Sequence, residues 1–492
     1  MTRPAELPIA LDPAGETPLY LQLARGLAAD VRRGRLRPGA ALPGTRTLAA
    51  ALGVHRNTVL AAYAELVAEG WLRARPGGGT FVCESLPEPA LRRFSKRPPR
   101  DGIPGEPAFA LRQELEPTLA LETPPAELVM LGGTPDLRLL PTALLARAYR
   151  RALKHEPNLR LGYGLVAGEP RLREALAELV SRRRALAARA ENVLVTRGSQ
   201  MALDLVARAL CRPGDAVAVE TLGYRPAWRA LTGAGARLVP IPVDRNGVVV
   251  EALARAVAAH RIRAVYVTPH HQYPTLAVLS PGRRMELLEL AAREGFAIIE
   301  DDYDHEFHYE GRPVVPLASA DARGSVIYLG TLSKILAPGL RIGFVVGPER
   351  LIERLTRERF AVDRQGDHVL EAAVAELLED GEVERHARKM RRAYHERRDA
   401  LVDALERNLG GRFEPIVPSG GMALWGRARG ADVEEWRERA LARSVLFMTA
   451  RDFAFDGRAR PYVRLGFAAL GPRELGEAAR RLAAAWPRRG RP

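Results

Sequence analysis

The sequence predicts two folded parts: a small helical module closed by a β-hairpin, then a larger α/β part built on a mostly parallel sheet. Three observations predict it. Residues 17–83 hold three helical patterns followed by two short β-runs around a glycine cluster. From about residue 126 onward, apolar β-branched runs alternate with helical segments, the pattern of strands joined by crossover helices. Between them, six prolines fall from Pro87 to Pro107 among charges of both signs, which reads as a solvated tether. The expected boundaries are 14–83 for the module, 84–125 for the linker and 126–492 for the α/β part. The last divides near residue 345 into a large part and a small C-terminal α+β part.

The module begins with Thr17 to Gly34, where Leu19, Leu23, Leu27 and Val31 recur at helical spacing. A short helix, Thr45 to Leu52, follows, with Gly44 or Thr45 as its cap. After a turn at Gly53, a third helix runs from about His55 to Glu69, with Val59, Tyr63, Leu66 and Val67 on one face. His55 is a poor N-cap residue. Trp71-Leu72-Arg73 and Phe81-Val82 then flank the loop Arg75 to Thr80. Helix, short helix, turn, helix and hairpin describe a winged helix-turn-helix. In that geometry the third helix enters the major groove of double-stranded DNA by its N-terminal end. Arg56, Asn57 and Thr58 are therefore the expected contacts to base edges and phosphates, and Arg46 opens the preceding helix as a phosphate ligand. Gly78 and Gly79 let the wing approach the duplex, and Arg73 and Arg75 add charge. A helical dimerisation module with merely solvated arginines would share part of this pattern. The linker cluster Arg92, Arg93, Lys96, Arg97 and Arg100 fits a solvated tether or a further DNA contact.

In the α/β part the expected strands are 193–196, 216–220, 237–241, 264–268, 297–301 and 326–329. Ligands of such sheets bind beyond the carboxyl ends of the strands, so the residues just after each strand matter most. Gly198, Ser199 and Gln200 open a helix, an arrangement that suits an anion. Tyr224 offers an aromatic face. His271 and Gln272 follow the fourth strand. Glu300-Asp301-Asp302-Tyr303 ends the fifth, a costly run unless it serves a site. After the sixth come Thr331, Ser333, Lys334 and Arg341. Lys334 stands out because only four of the 74 basic residues are lysine. A partly buried lysine can lose its proton and act as a nucleophilic amine, which arginine cannot; an exposed surface lysine would read the same on this stretch alone.

These groups fit one ligand. A phosphate would use Gly198, Ser199, Thr331, Ser333 and Arg341. A pyridine ring would use Tyr224 over its face and Asp301 on its nitrogen. A phenolate oxygen would use Tyr303 with Gln272 or His271, and an aldehyde would use Lys334 as a Schiff base. Together they specify pyridoxal 5′-phosphate.

Composition sets outer limits. With 47% hydrophobic and 27% charged residues the chain is ordinary for a globular protein. No apolar run is long enough to span a bilayer and no leader is evident, so no membrane partner is expected. Cys83 and Cys211 fit neither a metal spacing nor a disulfide framework, which suits a reducing cytoplasm. The net charge of +15 favours a polyanionic partner weakly.

LPGTRTLAAALGVHRNTVLAAYAELVAEGWL, followed by RPGGGTFV, resembles the GntR-type winged-helix domain, with Gly44, Thr45 and His55 where that family usually has serines. GTLSKILAPGLRIG, IIEDDYDHEF, VTRGSQMALDL and TPHHQYP resemble the aminotransferase fold, fold type I of pyridoxal phosphate enzymes. Nearly the whole chain resembles the MocR subfamily of GntR regulators. The resemblance implies Lys334 as Schiff-base lysine, Asp301 as pyridinium partner, Tyr303 on the phenolate and Arg341 on the phosphate. It also implies Arg464 as a clamp on a ligand carboxylate, and a homodimer. Two departures fall near the expected ligand or subunit contact: Leu276 replaces a family glycine, and Tyr163-Gly164-Leu165-Val166-Ala167-Gly168 replaces YGDPxG. The expected function is a cytoplasmic, DNA-binding transcription regulator that senses pyridoxal phosphate, an amino compound, or both. The alternative is a working aminotransferase carrying a DNA-binding domain.

Overall fold

The computed structural model describes residues 9–13, 15, 17–75, 77–86, 109–110, 125–311 and 314–487. Most of the expected linker, including its basic cluster Arg92, Arg93, Lys96, Arg97 and Arg100, lies outside them. The chain divides into two compact units, Met1–Glu116 and Pro117–Pro492. No helix of the described residues is long and apolar enough to cross a membrane.

In the first unit, α1 (Leu19–Arg32), α2 (Thr45–Leu52) and α3 (Arg56–Ala68) precede β1 (Leu72–Arg75) and β2 (Gly79–Val82), which pair antiparallel. Leu23, Leu27, Val59, Ala62, Leu66 and Val82 form the core, each 1% exposed or less. One expectation fails: Val67 is 39% exposed and Ala62 takes its place inside. At 100° per residue, Val67 lies about 80° from Val59 around the helix, too far to share its face. His55 does cap α3, its Nδ1 accepting the Asn57 amide at 3.2 Å.

The second unit is built on a seven-stranded sheet. Its spatial order is Val193–Thr196, Gly343–Val346, Val326–Thr331, Ala297–Asp302, Ile262–Val267, Ala216–Glu220 and Arg237–Ile241. Only Gly343–Val346 runs against the rest. All six expected strands are present, and this reversed strand is an addition to them. Val193–Thr196, Ala216–Glu220 and Val326–Thr331 are buried along their whole length, as a mostly parallel sheet covered by helices requires. On Val193–Thr196, Val193 and Val195 pack into one cluster and Leu194 into the opposite one. The C-terminal part has a four-stranded antiparallel sheet, ordered Phe413–Ile416, Ala423–Ala428, Tyr462–Gly466 and Met448–Thr449. Helices Glu382–Leu409 and Pro472–Ala484 share its core.

Candidate functional site

At the carboxyl ends of the large sheet lies a cavity of about 240 Å³. Ser199, Gln200, Tyr224, Asp301, Tyr303, Thr331, Ser333, Lys334 and Arg341 all line it. They come from segments as far apart as 199 and 341. Parallel strands with crossover connections deliver every strand end to the same edge of the sheet, and so to one place.

Strand pleating sorts the polar run at the end of Ala297–Asp302. Asp301 and Tyr303 line the cavity, whereas Glu300 and Asp302 serve the scaffold. Glu300 accepts the Leu317 and Ala318 amides at 2.7 and 2.9 Å. Asp302 pairs with His305 at 2.9 Å and accepts the Tyr328 hydroxyl at 2.7 Å. Asp301 accepts the Tyr266 hydroxyl at 2.7 Å. Burial pushes its carboxyl up to about 6, against the pull of that hydrogen bond.

Lys334 donates from Nζ to the Gly133 carbonyl at 2.6 Å. Burial, reinforced by the Arg464 guanidinium, lowers its ammonium to about 8. At one wall, Gly198 caps the helix Ser199–Leu210 with φ of 77°. A Cβ there would meet the Arg341 guanidinium at 2.7 Å, so only glycine lets Arg341 close over this helix start. Arg341 donates to the Arg197 carbonyl at 2.9 Å, and Thr331 Oγ1 accepts the Ser333 amide at 3.1 Å. Hydroxyls, helix amides and a guanidinium thus converge on one volume, which suits an anion.

Arg464 is fully buried, yet among the described residues none of its three guanidinium nitrogens has a hydrogen-bond partner. Its guanidinium lies 4.5 Å from the Tyr273 ring centre. A Cβ on the cavity residue Gly132 would come within 2.4 Å of Nη1, so the glycine leaves room for Arg464. A buried, unpaired guanidinium is costly, and an anionic ligand would relieve that cost.

Two expectations are corrected. His271 and Gln272 do not line the cavity. Gln272 is spent on its own loop: Nε2 donates to the Leu222 and Tyr273 carbonyls, and Oε1 accepts from Thr275. His271 is 1% exposed, with Nδ1 at 2.8 Å from Asp304. Conversely, Gly132, Gly133, Thr134, Tyr266, Thr268, Tyr273 and Pro338 line the cavity without having been foreseen. The Gly-Gly pair was a usable signal; Tyr266, a single aromatic in an apolar strand, reads as core.

On the first unit, Arg46, Arg56 and Asn57 are exposed and Thr58 is half-buried. Neither α2 nor α3 has an acidic residue in its first turn, so no carboxylate competes for their amide ends. Arg56 donates weakly to Thr45 Oγ1 at 3.4 Å. On the hairpin, Gly78, Gly79 and Arg75 are exposed, with Arg75 over the Phe81 ring at 5.0 Å. Arg73, expected to add charge to the wing, pairs with Glu84 at 2.6 Å.

Residues 133–482 match the family described as aminotransferase class I and II, and residues 19–82 match bacterial regulatory proteins of the gntR family. The chain is 34% identical to the probable rhizopine catabolism regulatory protein MocR of Rhizobium meliloti, over 95% of this chain and 94% of that protein. It is 33% identical to the HTH-type transcriptional regulator TauR of Rhodobacter capsulatus, over 96% and 98%. Among solved structures it resembles LysN, the alpha-aminoadipate aminotransferase of Thermus thermophilus in complex with N-(5′-phosphopyridoxyl)-L-leucine. The TM-score is 0.68 at 31% identity, covering 73% of this chain and 91% of that one.

Proposed function

The chain belongs to the MocR-type transcription regulators, in which a gntR-family helix-turn-helix is joined to a class I and II aminotransferase domain, and from this we propose that it binds operator DNA through the first unit and pyridoxal 5′-phosphate with a carboxylate-bearing amine through the second. The observation that carries the reading is the unpartnered Arg464 guanidinium behind the wall of the cavity that Lys334 lines. A regulator of α-amino acids needs both a group for the amine and a group for the carboxylate.

The residues fit the cofactor. Ser199, Thr331, Ser333 and Arg341 would hold its phosphate, Asp301 its ring nitrogen and Tyr303 its phenolate oxygen, with Tyr224 against the ring. When bound, pyridoxal phosphate supplies an aldehyde that captures amines and a ring that draws electrons from their Cα. The chain's own part is positional and electrostatic. With its pKa near 8, roughly a tenth of Lys334 is the neutral, nucleophilic amine at pH 7. Asp301 is mostly ionised at that pH, and Tyr266 holds one oxygen while the other is left for the ring nitrogen. Arg464 orients the ligand by its carboxylate. The assembled cavity also favours a second reading, a turning-over aminotransferase.

The test is visible absorbance of the full chain loaded with pyridoxal phosphate, titrated with amino acids and simple amines. Lys334→Ala should lose the lysine-linked chromophore while operator binding persists. Arg464→Met should keep the chromophore and respond to amino acids about tenfold more weakly than to amines lacking a carboxylate. A lysine-linked chromophore in Lys334→Ala would overturn the site. Sustained conversion of an added keto acid to an amino acid would favour the enzyme reading.

A further inference from the structure

Four of the chain's ten histidines meet in one buried cluster beside the cavity. His270 and His271 follow the strand Ile262–Val267, and His305 and His308 follow Ala297–Asp302. These strands are paired neighbours, so the two segments emerge side by side. The His270 ring lies 4.4 Å from His271, 4.8 Å from His305 and 6.2 Å from His308, centre to centre.

Carboxylate pairing sets His305 apart. Its Nδ1 lies 2.9 Å from Asp302, off hydrogen-bond geometry but within ion-pair distance, and the same carboxylate oxygen accepts the Tyr328 hydroxyl. The other three have ring nitrogens with no hydrogen-bond partner among the described residues. Both ring nitrogens of His270 are buried and unpartnered, as are Nε2 of His271 and Nδ1 of His308. One ring nitrogen from each of the three residues lies within 4.8 Å of the others. Unsatisfied buried imidazoles at this density call for a bound species.

We propose that His270, His271 through Nε2 and His308 through Nδ1 form a site for a divalent transition metal of the zinc class, with Asp304 as the supporting carboxylate. Asp304 takes the Nδ1 proton of His271 at 2.8 Å, which fixes the tautomer that leaves Nε2 bare. This carboxylate–imidazole arrangement is what second shells of zinc sites supply. Imidazole donors without thiolate suit zinc, nickel, copper or iron, and three of them leave a position for water. Donors on one tetrahedral zinc sit about 3.4 Å apart, so the set need contract by only roughly an ångström. A separate cavity of about 280 Å³, lined by His305 and His308, gives an entry path. On its rim Arg182, Arg183 and Arg388 are each paired with a glutamate.

The test uses the full chain with zinc alone. Protein equilibrated with Zn²⁺ and freed of excess by gel filtration is analysed for metal, and affinity is read by competition with a chromophoric zinc indicator. Wild type should retain one zinc per chain. His308→Gln, at a half-buried position, and His270→Gln should each weaken binding tenfold or more, and Asp304→Asn by about 10–100-fold. His305→Gln should leave zinc affinity unchanged. No retained zinc would mean that the cluster holds water and would overturn the proposal. So would undiminished binding by both His308→Gln and His270→Gln, or loss confined to His305→Gln. None of these readouts needs pyridoxal phosphate, so the result stands apart from the proposed cofactor.

Discussion

Lys334 carries an ammonium into a cavity that gives it little water. Its folded value near 8 lies below the usual 10.5. Below about pH 8 both folded and unfolded chains hold this proton, and the folded state bears the full penalty. Between about 8 and 10.5 the unfolded chain holds more of the proton, so stability rises with pH. Above that window the penalty is gone. The shift corresponds to at most about 3 kcal/mol. We expect urea unfolding of cofactor-free protein to show this rise in wild type and to lose it in Lys334→Met. Other lysines and tyrosines titrate there too, so the difference between the two proteins is the quantity to measure; parallel curves would contradict the burial of Lys334. Burial makes this lysine costly; its rarity made it legible, as one of four lysines among many arginines. Arg464 had no such mark and was found through resemblance alone. The histidine cluster was invisible because His270 and His308 meet only through strand pairing.

At the scale of elements, apolar β-branched runs bounded by glycine or turn residues marked six strands, and the seventh escaped for a physical reason. Gly343–Val346 begins at a glycine and follows the Lys334 loop directly, so it reads as the tail of that loop. Leu276 is a different case. It adopts φ of 64°, the left-handed region that favours glycine. Its side chain packs with Trp425, Ala450 and Phe453, so burial offsets the backbone strain. The winged-helix elements were legible because cap, turn and hairpin signals follow in fixed order. What the sequence could not display was that Arg73 pairs with Glu84. The N-terminal end of α3 is the surface expected to read bases. Arg56→Ala should therefore weaken operator binding by about 1–3 kcal/mol if it reads a base edge, relaxing specificity at one position. If it touches phosphate only, affinity should fall for all sequences and the salt slope by about one. Fluorescence anisotropy across a salt series separates the two, and unchanged affinity would remove α3 from the interface.

For the whole molecule, the surface around residues 157–165 is the place to test the homodimer that the family resemblance implies. Leu159, Leu161, Tyr163 and Leu165 are 55–81% exposed, and Phe360 and Val362 are also exposed. The Arg364 guanidinium lies over both Tyr163 and Phe360, which joins the two segments into one patch. Solvent-facing apolar residues at this density mark a protein contact. A second copy of the chain is the partner that the proposed regulator needs, since two winged helices on paired half-sites gain affinity from linkage. Leu161→Glu with Tyr163→Glu should give a monomer by sedimentation velocity. The change touches no residue proposed to hold DNA, yet affinity for a two-half-site operator should fall by at least about 10²-fold, while affinity for a single half-site stays the same. A variant that remains dimeric would assign the patch to another partner. A monomer with undiminished affinity for the full operator would mean that each DNA-binding head acts alone, and that any effect of the ligand on transcription operates within one chain.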